Sequence, residues 1–339
     1  MKASPNLVGK SLGMRKARQL AALALVLMLS SMSSAWGAEL APLRATYASI
    51  GGAFAPLWIA QDKGLFEKYG LAVDLKYMLS ATGTQALLSG NVDIVNPGTE
   101  LIEAGLGGAR IAFIVGILNR AVLSIYSKPE LHQLADLRGK VLGVTLAGST
   151  TDLTAKILLK QAGLVPGKDV RIAHLQGMPD MITALGQGRI DAGVVSAPTT
   201  LKAKQAGLKE LLDVTSHNIP MIHAGLATTR DFIKNHPHRV RRYVQAYVEA
   251  NKIARTDAES TKQIIAKYTR TNSQEDLDET YATYAKVWEQ APYVSAAAMQ
   301  TVLNFAVNPA AKSAKPEQFI DNSFVAELEK SGFIKELYK

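Results

Sequence analysis

The sequence predicts an α/β protein of two lobes, each built on a mainly parallel sheet, with a ligand cleft between them. Residues 86–93 read Ala-Leu-Leu-Ser-Gly-Asn-Val-Asp and residues 184–191 read Ala-Leu-Gly-Gln-Gly-Arg-Ile-Asp. Ala86, Leu87, Gly90, Val92 and Asp93 thus recur as Ala184, Leu185, Gly188, Ile190 and Asp191. Each copy follows a β-rich run, a loop of small residues and a helix ending in Gly-Leu, at Gly70-Leu71 and Gly163-Leu164. From residue 43 to about residue 228 short β-rich runs alternate with helical ones, the signature of a mainly parallel sheet. A repeated unit of this kind in a chain of 339 residues suits two lobes, and the space between two lobes suits a small ligand.

Taken in order, the strands fall at 43–47, 73–78, 92–95, 112–118, 122–127, 141–144, 170–174, 192–195, 211–214 and 222–228. In each, β-branched and aliphatic residues run between turn residues. The helices between them stop at Gly70, Gly90, Gly163, Gly188 and Gly207, where glycine supplies a left-handed cap. Asp93 and Asp191 follow two of these stops by three residues and read as locally hydrogen-bonded turn carboxylates, not catalytic ones. From Asp231 onward the chain reads as helix after helix. Pro237 opens one that runs to about Arg255, and Ser273-Gln274-Glu275-Asp276 is a capping box opening another to about Gln290. A further helix follows Ser295, and the last ends near Gly332. No Pro/Ser-rich tether divides the chain, so strand-like crossovers at 124–128 and 220–224 must join the lobes. Residues 39–125 with 224–339 then form the first lobe, and residues 126–223 the second.

The N-terminus stands apart. Lys2, Lys10, Arg15, Lys16 and Arg18 precede an unbroken apolar run over residues 20–29, and small residues follow at Ala35-Trp36-Gly37. This is the layout of a secretory signal peptide spanning residues 1–38, too short for a membrane span. Five of the chain's surplus positive charges belong to it, so the formal net charge of +9 falls to +4 without it. No basic run with interleaved aromatics remains to suggest nucleic acid. Cysteine is absent, which excludes disulfides, thiol nucleophiles, Cys-ligated metals and a lipid-anchored N-terminal Cys. An exported chain without an anchor is expected to be free in the periplasm, as a monomer.

Ligands of open parallel sheets sit at the carboxyl ends of strands, where helix N-termini present free amides. Those loops are Ser49-Ile50-Gly51-Gly52-Ala53-Phe54, Ser80-Ala81-Thr82-Gly83-Thr84 and Asn96-Pro97-Gly98-Thr99 in the first unit. The second unit supplies Ala147-Gly148-Ser149-Thr150-Thr151, Gln176-Gly177-Met178-Pro179 and Ser196-Ala197-Pro198. Their hydroxyls both donate and accept. Ser49, Ser80, Thr82, Thr84, Thr99, Ser149, Thr150 and Ser196 are therefore candidate ligand contacts. Asn119 at the cleft edge, Met178, and Phe54 against an apolar part of the ligand complete the set. Ser149 with Asp152 also reads as simple helix capping, and Phe54 also reads as core. The six loops contain no Asp, Glu, Arg or Lys, which argues against acid–base catalysis and against Arg-fork recognition of a dianion. Arg120 is the cation nearest the cleft edge. No histidine pattern suggests a metal, no dinucleotide or phosphate loop suggests a cofactor, and no nucleophile elbow is present.

Ala55-Pro56-Leu57-Trp58-Ile59-Ala60, then Lys63-Gly64-Leu65-Phe66-Glu67-Lys68-Tyr69-Gly70-Leu71, resembles the opening of solute-binding proteins of ABC importers for nitrate, sulfonates, taurine and thiamine-pyrimidine precursors. Leu134-Ala135-Asp136-Leu137-Arg138-Gly139-Lys140, Gly148-Ser149-Thr150 and both copies of the repeat extend the resemblance. It implies a type II periplasmic binding protein fold with two crossovers, the C-terminal helices returning to the first lobe. It also implies a small polar or monoanionic organic solute held between the lobes, and an ABC permease and ATPase as partners. Ser196-Ala197-Pro198 departs from the aromatic-acidic-Pro triplet of many relatives, and the Cys-rich signature of the fungal pyrimidine-forming enzymes is absent. The alternatives are an enzyme on the same fold, such as a dehydratase or a pyrimidine-precursor synthase, and a binding protein serving a sensor kinase or chemoreceptor.

Overall fold

The structure, a computed structural model, describes residues 39–339, so the signal-peptide expectation lies outside the described residues. Strands β1 (Ala41–Tyr47) and β2 (Leu71–Tyr77) pair in parallel, with Tyr47 beside Tyr77 at their carboxyl ends. Strand β3 (Ile111–Arg120) pairs antiparallel with β9 (Pro220–Thr229). The segment expected as a strand at 92–95 is only a splice between these pairs. Ile94 bridges Ala45 of β1, and Val95 bridges Ala227 of β9. Both side chains are buried, which their apolar character foretold, but each pairs for one residue only.

The second sheet has the order β6-β5-β7-β4-β8, from β4 (Ser124–Ser127), β5 (Val141–Val144), β6 (Arg171–His174), β7 (Ala192–Val195) and β8 (Lys209–Asp213). β5 runs parallel to β6 and β7, whereas β4 runs antiparallel to β7 and β8. Because β4 is an inner strand, the chain has already entered the second sheet at Ser124. Residues 121–123 thus link β3 to β4.

Helices α1 (Ala55–Asp62), α2 (Leu65–Lys68), α3 (Ser80–Leu88) and α4 (Glu100–Leu106) accompany the first sheet. Helices α5 (Thr150–Gln161), α6 (Met178–Gly186) and α7 (Thr199–Gln205) accompany the second. The C-terminal third follows as α8 (Arg230–Asn235), α9 (Pro237–Thr256), α10 (Ala258–Thr269), α11 (Gln274–Ala285), α12 (Ala296–Phe305), α13 (Ser323–Lys330) and α14 (Phe333–Leu337). Helix α1 is buried on every side from Ala55 to Ala60, because α9 covers it with Val240, Tyr243, Val244 and Tyr247. Phe66 stacks on Tyr243 with ring centroids 5.1 Å apart. Ser273 and Ser295 cap α11 and α12 as their sequences foretell. Helix α11 stops at Ala285, short of the expected end near Gln290. Gly332, expected to close the last helix, instead turns the chain into α14.

The repeated octapeptide has a structural meaning. Asp93 accepts the backbone N–H of Arg44 in β1 at 2.8 Å, and Asp191 accepts that of Val141 in β5 at 2.9 Å. In each unit a helix ends in a glycine of positive φ (Gly90 at 77°, Gly188 at 69°), and the chain turns to bring the aspartate onto the neighbouring strand. A cation completes each staple: Arg44 reaches Asp93 at 2.7 Å, and Lys128 reaches Asp191 at 3.1 Å. Burial alone would raise the Asp191 carboxyl, but the Val141 N–H and Lys128 bring it below the usual carboxylate range. Both aspartates are structural, as their place in the sequence suggests.

Candidate functional site

The first-sheet loops gather at the carboxyl ends of β1 and β2. Ser80 and Thr82 lie in the first turn of α3, and Ser49 lies in the turn after β1. Among the described residues none of these three hydroxyls has a side-chain partner within the chain, so all three are free to meet a ligand. Phe54 does not join them. It is 5% exposed in the core, its ring 6.2 Å from that of Tyr47.

Thr84, 4% exposed, donates its hydroxyl to Oε1 of Glu100 at 3.1 Å, and the same oxygen accepts the Gly98 N–H at 2.8 Å. A Cβ at position 98 would collide with this carboxylate, so glycine there permits Glu100 to fold back over its own loop. Glu100 stands one residue beyond the third of the loops read as acid-free. The loops themselves contain no acid, yet the site does, and a window extended by a single helical residue would have found it.

The two halves of the protein touch where the third loop meets the fourth. The Thr99 hydroxyl donates to the Gly148 carbonyl at 2.6 Å, and the Thr99 N–H points at the same oxygen at 3.3 Å. Gly148 has φ of +76°, and a Cβ there would come within 2.9 Å of the Thr99 hydroxyl, so both its conformation and the contact require glycine. Ser149 accepts from Thr145 at 2.8 Å, lies 3.0 Å from Thr151 and caps α5 by accepting the Asp152 N–H at 3.4 Å. Asp152 answers by accepting the Gly148 N–H at 2.8 Å. The capping reading of Ser149 is therefore realised, and its hydroxyl is largely occupied within the chain. Thr150 donates to the His223 carbonyl at 3.0 Å, tying α5 to β9. Met178, at the start of α6, is partly buried against the cluster around Tyr126 and Met181.

Asn119 serves another purpose. Its amide donates to the Tyr293 carbonyl at 2.8 Å and accepts the Ser295 N–H at 2.9 Å, clasping the C-terminal segment to β3. Ser196 hydrogen-bonds the Tyr284 phenol, which is buried and pushed up to about 12, mainly by that burial. Tyr284 in turn stacks on Trp288 at 5.9 Å. Beside Ser196 opens a cavity of about 460 Å³ between α11 and the second sheet, where Arg120 and Lys286 face Glu210, Asp213 and Glu279. Thr200 and Lys204 of α7 reach Glu279 of α11 at 2.8 and 3.4 Å, a second bridge between the halves.

His223 was not foreseen. It lies in β9 beside the crossing, and its Nδ1 accepts the Val122 N–H at 3.1 Å. Burial lowers its pKa to about 4, which keeps the ring neutral and able to accept. Among the described residues no group of His, Asp and Glu side chains is arranged to hold a metal ion.

The parallel β1–β2 pair, the antiparallel β3–β9 pair and the mixed five-stranded sheet, all flanked by helices, form an α/β fold of the periplasmic binding protein class. The chain belongs to the NMT1-like family, which matches residues 37–269. A protein of Brucella abortus named as a binding protein is 27% identical over 255 residues, 73% of this chain and 77% of that one. An ABC transporter periplasmic binding protein of Brachyspira hyodysenteriae is 26% identical over 152 residues, covering 44% of this chain and 43% of that one. Among solved structures, the aliphatic sulphonate-binding protein SsuA of Escherichia coli superposes with a TM-score of 0.66 at 20% identity, covering 83% of this chain and 92% of that one. The nitrate-binding protein NrtA of Synechocystis superposes with a TM-score of 0.69 at 17% identity, covering 86% and 89%.

Proposed function

We propose that this chain is the solute-capturing component of an ABC importer, working in the periplasm after removal of residues 1–38. The observation that carries the proposal is the seam itself. Thr99 of the first half and Gly148 of the second meet through a hydrogen bond, with the unpartnered hydroxyls of Ser49, Ser80 and Thr82 on the first-sheet loops. A small polar solute entering there would be held from both sides, with Thr84, Thr99, Thr150 and Ser196 nearby. The lobes divide at residues 121–123 and within β9, and ligand closes one upon the other. The protein acts as a monomer, hands the solute to a permease and its ATPase, and releases it unchanged.

Purified mature protein, stripped of solute by unfolding and refolding, should gain thermal stability from one fraction of a small-metabolite extract. A ligand at a hundredfold excess over its dissociation constant adds about 2.7 kcal/mol. Mass spectrometry should recover that solute with its mass unaltered. A changed mass would favour an enzyme, and the absence of any stabilising fraction would end the importer reading.

A further inference from the structure

Resting on the binding-protein reading of this cleft, we infer that the site selects a solute bearing a cationic nitrogen, such as an ammonium, amidinium or guanidinium group, through Glu100. Two donors that could otherwise receive an anionic ligand group, the Gly98 N–H and the Thr84 hydroxyl, are already spent on this carboxylate. Both are neutral. Among the described residues no Lys, Arg or His lies within ion-pair distance of Glu100, a condition it shares with other carboxylates of the chain. A carboxylate held in place by two neutral donors has acceptor positions to spare.

Its surroundings offer no competing cation. The adjoining loops at 80–84, 96–99 and 147–151 are uncharged, and His223, across the seam behind Thr150, is neutral. The cavity beside Ser196 independently carries three acids against two bases. An alkanesulfonate or nitrate ion would meet a carboxylate where its donors should be, whereas a cationic nitrogen would complete a charge-assisted pair with it. Glu100 directly follows Thr99, so a ligand bound to its carboxylate would lie close to the residue that contacts Gly148.

The test uses the mature protein, stripped of solute, with a defined panel and a metabolite extract. Agmatine, ethanolamine and butylamine are the cationic probes; butane-1-sulfonate and nitrate are the anionic ones. Thermal shift and calorimetry should show stabilisation by at least one cationic probe or by an extracted solute carrying a cationic nitrogen, and none by the anions. Glu100→Gln, which keeps the shape and can still accept from Thr84 and Gly98, should weaken that binding tenfold or more. Thr84→Ala, which frees the carboxylate without removing its charge, should weaken it far less. Binding of butane-1-sulfonate, nitrate or an extracted solute lacking a cationic nitrogen overturns the inference and leaves the binding-protein reading standing. So does undiminished cation binding by Glu100→Gln. If nothing in the panel or extract binds, the binding-protein reading fails and this inference with it.

Discussion

Single side chains in this protein divide into those that hold the loops and those left free. Ser149 belongs to the first group, since Thr145, Thr151 and the Asp152 N–H surround its hydroxyl. Ser149→Ala should therefore lower apo stability by about 1 kcal/mol, the usual cost of a lost helix cap. Its ligand-induced rise in melting temperature should stay close to that of the wild type. Ser49, Ser80 and Thr82 belong to the second group, and Thr82→Ala should do the reverse, leaving the apo melting temperature unchanged and reducing the rise. His223 sets a pH limit. Its native pKa, lowered by burial to about 4, lies below the ordinary value of 6.5, so the unfolded chain binds the extra proton first as the solution is acidified. The contribution is complete above about pH 6.5 and drains away as pH falls toward 4, because a protonated Nδ1 can no longer accept from Val122. Urea titrations at pH 7.5 and 5.0 should show a loss of stability that His223→Gln largely removes.

At the scale of elements, the Asp93 and Asp191 staples fix the turn after each helix to a strand, β1 in the first unit and β5 in the second. Asp93→Asn and Asp191→Asn should each cost roughly 1–3 kcal/mol, since each leaves a charged partner and a strand N–H less well satisfied. Hydrogen exchange should localise the loosening to β1 in one variant and β5 in the other. These elements were also the most legible part of the sequence. Aliphatic runs marked the strands, and the repeated Gly-x-x-Asp marked the staples, because burial and turn chemistry are local. Pairing is not local. Ile94 and Val95 look like a strand because they are buried, yet nothing in their own residues says that each finds only one bridging partner. The inner position of β4 is likewise a property of β7 and β8, far along the chain. In the site, hydroxyl loops could be read from composition and position after a strand. The engagement of Thr99 with Gly148, the withdrawal of Asn119 to residues 293–295 and the return of Glu100 over Gly98 depend on packing that no single loop encodes.

For the whole molecule, the proposed closure of one half on the other would rest on few contacts. The Thr99–Gly148 hydrogen bond and the Thr200–Glu279 pair tie the halves together away from β9. Thr99→Val removes one donor while keeping the shape, and should shift the unliganded population toward open forms. Small-angle scattering should then record a larger radius of gyration for the apo variant than for the apo wild type, with the two converging when ligand is bound. Equal radii in the apo state would mean that closure is set at the crossings and not at the seam.

The stack of Tyr284 on Trp288, with Ser196 of the other half bonded to that tyrosine, has an optical consequence. Once residues 1–38 are removed, the chain retains two tryptophans, Trp58 and Trp288, and the second sheet and its helices have none. Trp58 lies fully buried against Tyr268, with ring centroids 4.8 Å apart. Trp288 sits one ring away from the contact between Ser196 and Tyr284. If ligand closes one half on the other as proposed, Trp288 should report the movement in its emission while Trp58 serves as the reference. Trp288→Phe should abolish the ligand-dependent change in fluorescence, and Trp58→Phe should leave a dimmer signal whose fractional change is larger.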